Sequence, residues 1–250
     1  MLLAIDVGNT NTVLGLFDGD ELVRSYRVKT DARSTADEYR LTFDGLLRDD
    51  PDITGVALCS TVPAVLREMR GMLERYFVHV PHVIVEPGAK TGVPVLVDNP
   101  KEVGADRIAN AVGAFDLYGG PTICVDFGTA TTFDVISAAG EYLGGAIIPG
   151  IEISLDALFG RAAALRRVEL IEPRSVIGKT TVESIQSGTI YGYSSMIDGM
   201  CDRIEEVVGE ATVIATGGLA DLISPVTEAI EQVEPWLTLH GLRLIWEKNR

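Results

Sequence analysis

The sequence is poor in cysteine and in basic residues, and each shortage excludes a class of protein. Its three cysteines, Cys59, Cys124 and Cys201, lack C-x-x-C spacing, so we expect reduced structural thiols in a cytoplasmic protein rather than disulfides or a zinc site. It carries 21 Lys and Arg against 36 Asp and Glu. The net charge of −15 argues against nucleic acid and against anionic membranes as partners.

Long apolar runs and the common nucleotide-binding motifs are absent as well. No segment approaches the roughly 20 apolar residues of a membrane-spanning helix. An apolar strand begins directly after Met1, so we expect no signal peptide. Neither G-x-G-x-x-G nor G-x-x-x-x-G-K-[ST] occurs, which disfavours a Rossmann dinucleotide site and a Walker-type phosphate loop.

The sequence does contain one short pattern twice. It reads D-V-G-N-T-N-T at residues 6–12 and D-F-G-T-A-T-T at residues 126–132, and each copy lies between two apolar runs. The shared unit is a strand, an acid, a glycine, a cluster of small hydrogen-bonding residues and a second strand. An ordinary turn explains a single copy, whereas two copies in matched contexts indicate two similar half-proteins that face one ligand.

The chemistry of this unit suits a polyphosphate. Gly8 and Gly128 permit close approach of the backbone, and successive N–H groups in such a turn form a concave anion site. Neutral donors come from Asn9, Thr10, Asn11, Thr12, Thr129, Thr131 and Thr132. Because carboxylates cannot donate to phosphate, we expect Asp6 and Asp126 to face a cation or its water, as in sites where Mg²⁺ accompanies a nucleotide.

The order of predicted elements is repeated too. Three strands, a helix, a strand, a helix and a strand precede a linking helix at 105–118, and a similar series follows it. The segment Gly119-Gly120-Pro121 is the best boundary signal, so we expect domains at 1–117 and 118–250. This pattern predicts a duplicated α/β fold with a ligand cleft between the halves. Near the end, 237–239 predicts a strand and 240–247 a helix.

The segment Gly104-Ala105-Asp106-Arg107 opens the linking helix. Asp106 lies in the first turn, where the helix macrodipole favours negative charge and should lower its pKa. It is either a dipole-stabilised acid beside a surface arginine or the group that accepts a proton from a substrate hydroxyl. Phosphoryl transfer needs mostly positioning and charge stabilisation, so a weak base suffices. Arg107 would bind a substrate oxygen or carboxylate.

Two further segments allow a structural and a functional interpretation. Thr180 to Glu183 has the pattern of a capping box, and its free donors, with the Thr181 hydroxyl, could also receive a substrate anion. Thr216-Gly217-Gly218 is a strand-to-helix turn that would also let a flat ligand lie against the backbone. Residues 181–191 and 194–208 predict two helices. An apolar stripe there is more typical of core than of a dimer contact: Tyr193, Met196, Ile197, Met200 and Ile204.

In this order the motifs resemble type III pantothenate kinases over nearly the whole chain, including Asp98-Asn99-Pro100 and residues 237–242. The wider superfamily of acetate and sugar kinases, Hsp70 and actin is a duplicated ribonuclease-H-like (actin-like ATPase) fold. The resemblance implies phosphorylation of pantothenate to 4′-phosphopantothenate by ATP with Mg²⁺, the first step of coenzyme A synthesis. It also implies a monovalent cation, K⁺ or NH₄⁺, and a homodimer with substrate pockets near the interface.

The resemblance assigns roles to individual residues. Asp106 is the catalytic proton acceptor, Asp126 holds the monovalent cation, and Asp6 stays available to Mg²⁺ through a water. The expected ATP-binding residues are Asp6, Val7, Gly8, Asn9, Thr10, Asn11, Thr12, Val13, Thr129, Gly217 and Gly218, the glycines on the adenosine side. The expected pantothenate-binding residues are Gly104, Ala105, Asp106, Arg107 and Thr181.

Three other functions fit the same fold. One is a kinase for another small hydroxylated or carboxylic acid substrate, and a second is a non-catalytic accessory or regulatory protein. The intact set of Asp6, Asp106 and Asp126 argues against the regulator. An actin-like filament is a more remote alternative, since nothing in the sequence supplies the extra subdomains of a polymer.

Overall fold

The computed structural model of the protein describes residues 1–49, 52–162 and 165–250. It forms two compact units, the first made of Met1–Asp116 with Leu237–Arg250 and the second of Leu117–Trp236. The expected division placed 237–250 in the second domain, whereas these residues belong to the first unit.

Each unit contains one five-stranded sheet. The strands are β1 (Leu2–Val7), β2 (Asn11–Asp18), β3 (Glu21–Lys29), β4 (Gly55–Ser60), β5 (His82–Ile84), β6 (Thr122–Phe127), β7 (Ala130–Ile136), β8 (Tyr142–Pro149), β9 (Thr212–Gly217) and β10 (Gln232–Val233). The helices are α1 (Ala36–Leu46), α2 (Pro63–Tyr76), α3 (Ala105–Tyr118), α4 (Ile151–Arg161), α5 (Thr181–Val208), α6 (Ala220–Ile223) and α7 (Leu237–Asn249).

The two sheets have the same topology. Their strand orders are β3-β2-β1-β4-β5 and β8-β7-β6-β9-β10. In each, the first strand pairs with an antiparallel hairpin partner on one side and a parallel strand on the other. The prediction of a duplicated α/β fold is therefore confirmed.

The first unit is organised around β1, a near-continuous apolar strand of the kind that is buried on both faces. Leu3 and Ile5 are fully buried in a core to which α1 contributes Phe43 and α2 contributes Met69. Helix α1 begins with a capping box in which Thr35 and Glu38 satisfy each other's backbone N–H groups.

Helix α7 corrects the prediction of a final strand at 237–239, because those residues begin a helix instead. The helix packs closely on its own unit. A Cβ added at Gly241 would lie 1.9 Å from the carbonyl oxygen of Ala109 on α3. A Cβ at Gly15 on β2 would lie 2.7 Å from Leu239. Glycines at these two positions therefore allow α7 to pack closely against α3 and β2.

The second unit builds its core on β6 and α5. The two helices predicted over 181–208 form one helix, which continues through Gly192. Ile197 is fully buried in this core, and Tyr193, Met200 and Ile204 pack against it. Four of the five residues of the apolar stripe thus belong to the core, as their spacing favours, while Met196 is half-buried outside this cluster. Across the described residues, the structure contains no helix with the length and apolar character needed to traverse a bilayer.

Candidate active site

The first repeated motif forms the loop between β1 and β2. Val7 pairs with Thr12, so the four residues 8–11 make the turn. Gly8 N–H donates to the Asn11 carbonyl at 3.0 Å, and the buried hydroxyls of Thr12 and Thr30 lie 2.9 Å apart. Asn9 and Thr10 are exposed at the tip. The base of the loop is fixed while its polar tip is open to a ligand.

The second motif forms a shorter loop between β6 and β7. Phe127 pairs with Thr131, so only the three residues 128–130 make this turn, although the two motifs align without a gap. The loop is held by the start of α4, where Gly150 N–H donates to the Thr129 carbonyl at 3.1 Å. A Cβ at Gly150 would lie 2.2 Å from that oxygen. The loop therefore sits directly against the first turn of a helix.

Asp6 lies at the end of β1, half-buried, in a row of residues that crosses the first sheet. Strand register places Val13 and then Arg27 on one side of it and Cys59 on the other. The Cys59 thiol donates to Asp6 Oδ1 at 3.2 Å. Burial and the negative charge of Asp106 raise the pKa of Asp6 to about 7, while the thiol and the charge of Arg27 act in the opposite direction.

Asp106 lies in the first turn of α3 and is also half-buried. The backbone N–H of Arg107 donates to its Oδ1 at 2.8 Å, and a Cβ at Gly104 would lie 2.5 Å from the same oxygen. Burial raises the pKa of Asp106 above its ordinary value, although the N–H and the charge of Arg107 lower it. The expectation of a lowered pKa was wrong, because desolvation outweighs the favourable helix end. The carboxylate is a stronger base than the sequence suggested.

The pair of Asp6 and Asp106 fits a hydrated divalent cation. The two carboxylates raise the free energy of each other's ionised forms, and a cation would relieve this repulsion. Within the described parts of the chain, no group of three or more His, Cys, Asp or Glu side chains could cage a metal. One or two carboxylates with water and phosphate is the ligand set that Mg²⁺ usually takes beside a nucleotide.

Asp126 occupies in the second unit the place that Asp6 has in the first. It is half-buried at the end of β6, and its neighbour on the parallel strand β9 is Thr216. Gly217 follows with φ +92°, and a Cβ there would lie 2.6 Å from Asp126 Oδ1. The glycine is needed both for its backbone conformation and for its contact with the acid. Gly218 beside it is exposed.

Thr181 is exposed at the first position of α5. Thr180 caps the helix, since its hydroxyl accepts from Glu183 N–H at 3.1 Å. The Glu183 carboxylate accepts from Lys179 N–H at 2.9 Å and from Arg174 Nε at 2.7 Å. The predicted cap is present, and Glu183 also ties the preceding segment to the helix.

The structure relates two pairs of the expected residues within the units. In the first unit the charge of Asp106 acts on Asp6, and in the second Gly217 adjoins Asp126. Sequence reasoning missed Cys59 and Arg27. Cys59 directly follows the apolar run of β4, a signal that marks a strand end but does not tell which strand lies beside it.

The raised pKa of Asp6 generates a prediction about stability. Because the folded pKa of about 7 exceeds the unfolded value of 3.8, rising pH destabilises the unliganded fold between these values, and the full cost is present above about pH 7. Asp6→Asn removes this cost. We expect the variant's stability advantage in urea unfolding to grow from pH 4.5 to pH 8 by up to about 3 kcal/mol.

The exposed turn residue Asp20 supplies the control, since Asp20→Asn removes the same charge from the β2–β3 turn. A difference between Asp6→Asn and the unmodified protein that stays constant across this pH range would contradict the prediction.

Known proteins that are similar in sequence to this chain point to one family. The family model described as type III pantothenate kinase matches residues 2–203. The type III pantothenate kinase of Frankia alni is 62% identical over 250 residues, covering 100% of both chains. That of Streptomyces griseus subsp. griseus is 57% identical over 261 residues, covering 100% of this chain and 98% of its own.

A solved structure shares the fold at low identity. It is the activator of the 2-hydroxyisocaproyl-CoA dehydratase from Clostridium difficile with bound ADPNP. Its TM-score is 0.58 and its identity 11%, and the match covers 99% of this chain and 94% of that one. This likeness concerns the fold alone and agrees with the expected actin-like ATPase architecture. Given the family match over residues 2–203 and the full-length relatives, this chain belongs to the type III pantothenate kinase family.

Proposed function

We propose that this protein transfers the γ-phosphoryl group of ATP to the primary hydroxyl of pantothenate, yielding 4′-phosphopantothenate for coenzyme A synthesis. The observation that carries the proposal is full-length identity of 56–62% to proteins named type III pantothenate kinase. A family matched at this level along the whole chain supports the same reaction. All three cysteines are buried and are thiols rather than disulfides, which fits a reducing compartment, and we place the enzyme in the cytoplasm.

Asp106 is the proton acceptor in this proposal. Its pKa is raised by burial, which strengthens it as a base, and the Arg107 N–H holds one of its oxygens in place. A side chain at position 104 would clash with that oxygen, so glycine is needed there. Gly104, Ala105, Arg107 and Thr181 are the further contacts to pantothenate, with Arg107 suited to a carboxylate or carbonyl oxygen.

ATP is bound with Mg²⁺ in this proposal. Residues 6–13 and Thr129 bind the phosphates through loop N–H groups and hydroxyls, and Gly217 and Gly218 lie on the adenosine side. Asp6 faces the hydrated Mg²⁺, which neutralises charge on the phosphates when bound. The repulsion between Asp6 and Asp106 supports a cation there.

The role of Asp106 has a direct test in Asp106→Asn. The amide cannot accept the hydroxyl proton, so we expect kcat to fall by about 10²–10⁴-fold while the affinity for MgATP changes little. Turnover measured by ADP release with pantothenate gives kcat, and calorimetric titration with ATP gives the affinity. Asp116→Asn, near the other end of α3 and exposed, is the matched control.

Undiminished turnover by Asp106→Asn would remove this residue from the mechanism. A panel of other hydroxylated acids and sugars in the same assay separates the rival kinase activity, and no ADP release from the unmodified protein with any acceptor would favour a regulator.

We also propose that Asp126 holds a monovalent cation, K⁺ or NH₄⁺. The half-buried carboxylate beside the second loop has two threonines as its strand neighbours, Thr132 and Thr216, whose hydroxyl oxygens are ligands that suit a weakly hydrated ion of single charge. Replacing Na⁺ by K⁺ should raise pantothenate turnover at least several-fold. Asp126→Asn should lose this stimulation, and equal rates in both salts for the unmodified protein would contradict the assignment.

The last proposal is a homodimer that forms through α5. The outer side of this helix carries small exposed residues at helical spacing, which permit close approach of a second helix: Thr181, Ser184, Gly188, Gly192 and Ser195. Sedimentation velocity should give about twice the chain mass of 26.9 kDa. Gly192→Arg should shift the protein to the monomer, whereas Gly45→Arg, equally open on α1, should not. A dimer that survives Gly192→Arg places the interface elsewhere.

A further inference from the structure

Cys59 is held against the carboxylate of Asp6 by the fold itself. It is fully buried on β4, and the parallel register of β1 and β4 pairs it directly with Asp6. Its thiol donates to Oδ1 at 3.2 Å. Beyond the strand end, the N–H and the hydroxyl of Thr61 both donate to the Val7 carbonyl, at 3.1 and 3.4 Å. The end of β4 thus supports the base of the first loop at two successive points.

The second unit repeats this arrangement with a different residue. Thr216 on β9 pairs with Asp126 as Cys59 on β4 pairs with Asp6, and it too is buried. Elsewhere in the two rows the residues differ: Val13 is the hairpin neighbour of Asp6, and Thr132 is that of Asp126. A small side chain able to donate a hydrogen bond stands next to the acid in both units.

We propose that Cys59 is a positioning residue for ATP binding: its thiol fixes one oxygen of Asp6 and so sets how the carboxylate meets the hydrated Mg²⁺ of the nucleotide. This inference rests on the proposed function, in which Asp6 serves MgATP. With Oδ1 held by the thiol, the second oxygen of Asp6 would be the one to accept from a water of the metal. Mg²⁺ needs near-ideal geometry, so a carboxylate free to rotate serves it less well.

A buried cysteine commonly acts as a small apolar side chain, and that role makes a different prediction. A packing role depends on volume, whereas positioning depends on a donor. Serine keeps the donor with a smaller side chain, and alanine removes it. The comparison of Cys59→Ser with Cys59→Ala therefore separates the two roles.

The measurement is the affinity for a non-hydrolysable ATP analogue, titrated with and without Mg²⁺. We expect Cys59→Ala to weaken binding in Mg²⁺ about tenfold, the usual effect of losing a hydrogen bond to a charged group. Binding without Mg²⁺ should change less than twofold. In turnover, KM for ATP should rise while KM for pantothenate stays constant. Cys59→Ser should recover most of the affinity, and Cys201→Ala, a buried thiol in the other unit's core, should change nothing.

A double-mutant cycle then tests whether Cys59 acts through Asp6. In an Asp6→Asn background, Cys59→Ala should no longer weaken MgATP-analogue binding, because the carboxylate that it positions is gone. Equal losses in both backgrounds overturn the proposal. So do unchanged affinity in Cys59→Ala, or equal losses in the Ser and Ala variants, which indicate packing.

Thermal unfolding without ligand shows which variants are folded before they are titrated. The cycle is read from nucleotide binding alone. Failure of the unmodified protein to phosphorylate pantothenate would therefore refute the proposed function without touching the outcome of the cycle.

Discussion

Parallel pairing of β1 with β4, and of β6 with β9, is the constraint on which each half of the site depends. Side chains alternate between the faces of a strand, so a slip of one residue would turn Asp6 toward the core and bring Ile5 or Val7 to its place. Ile5 and Val7 are fully buried, and this burial holds the register. The apolar core thus determines where the acid lies and which residue is its neighbour. Cys59 and Thr216 stand beside the two acids for this reason alone.

The same packing makes the first unit's acids costly to ionise. Burial raises the pKa of both Asp6 and Asp106, and the charge of Asp106 adds to the shift of Asp6. In the free protein, ionising these buried carboxylates lowers stability, and the surrounding core must outweigh that cost. A bound cation would relieve it, since the same two carboxylates would then face positive charge. Sites of this kind are less stable without their ligand, and perturbed carboxylates are common where chemistry occurs.

Local patterns in the sequence predicted much of this fold, and long-range packing decided the rest. The boundaries of α3 and the strand–loop–strand form of both motifs follow from apolar runs and turn residues in the sequence. The final helix was predicted at 240–247, but its first three residues were misassigned as a strand, because Leu237 and Leu239 suit either element and only the packing of the helix on the first unit distinguishes them. The raised pKa of Asp106 could not be inferred from the helix end, since burial is a tertiary property.

The two units differ in the residues that lie beside Asp6 and Asp126. The row through Asp6 contains a thiol and ends in Arg27, and a second carboxylate, Asp106, acts on the same acid. The row through Asp126 contains Thr132 and Thr216, both uncharged residues.

The charge of Asp106 acting on Asp6 favours a divalent cation in the first unit. The first loop is also one residue longer, which gives it one more backbone N–H for phosphate oxygens. The two motifs look alike in sequence, yet the residues beside their acids differ, and several of these lie outside the motifs: Cys59 on β4, Asp106 on α3 and Thr216 on β9.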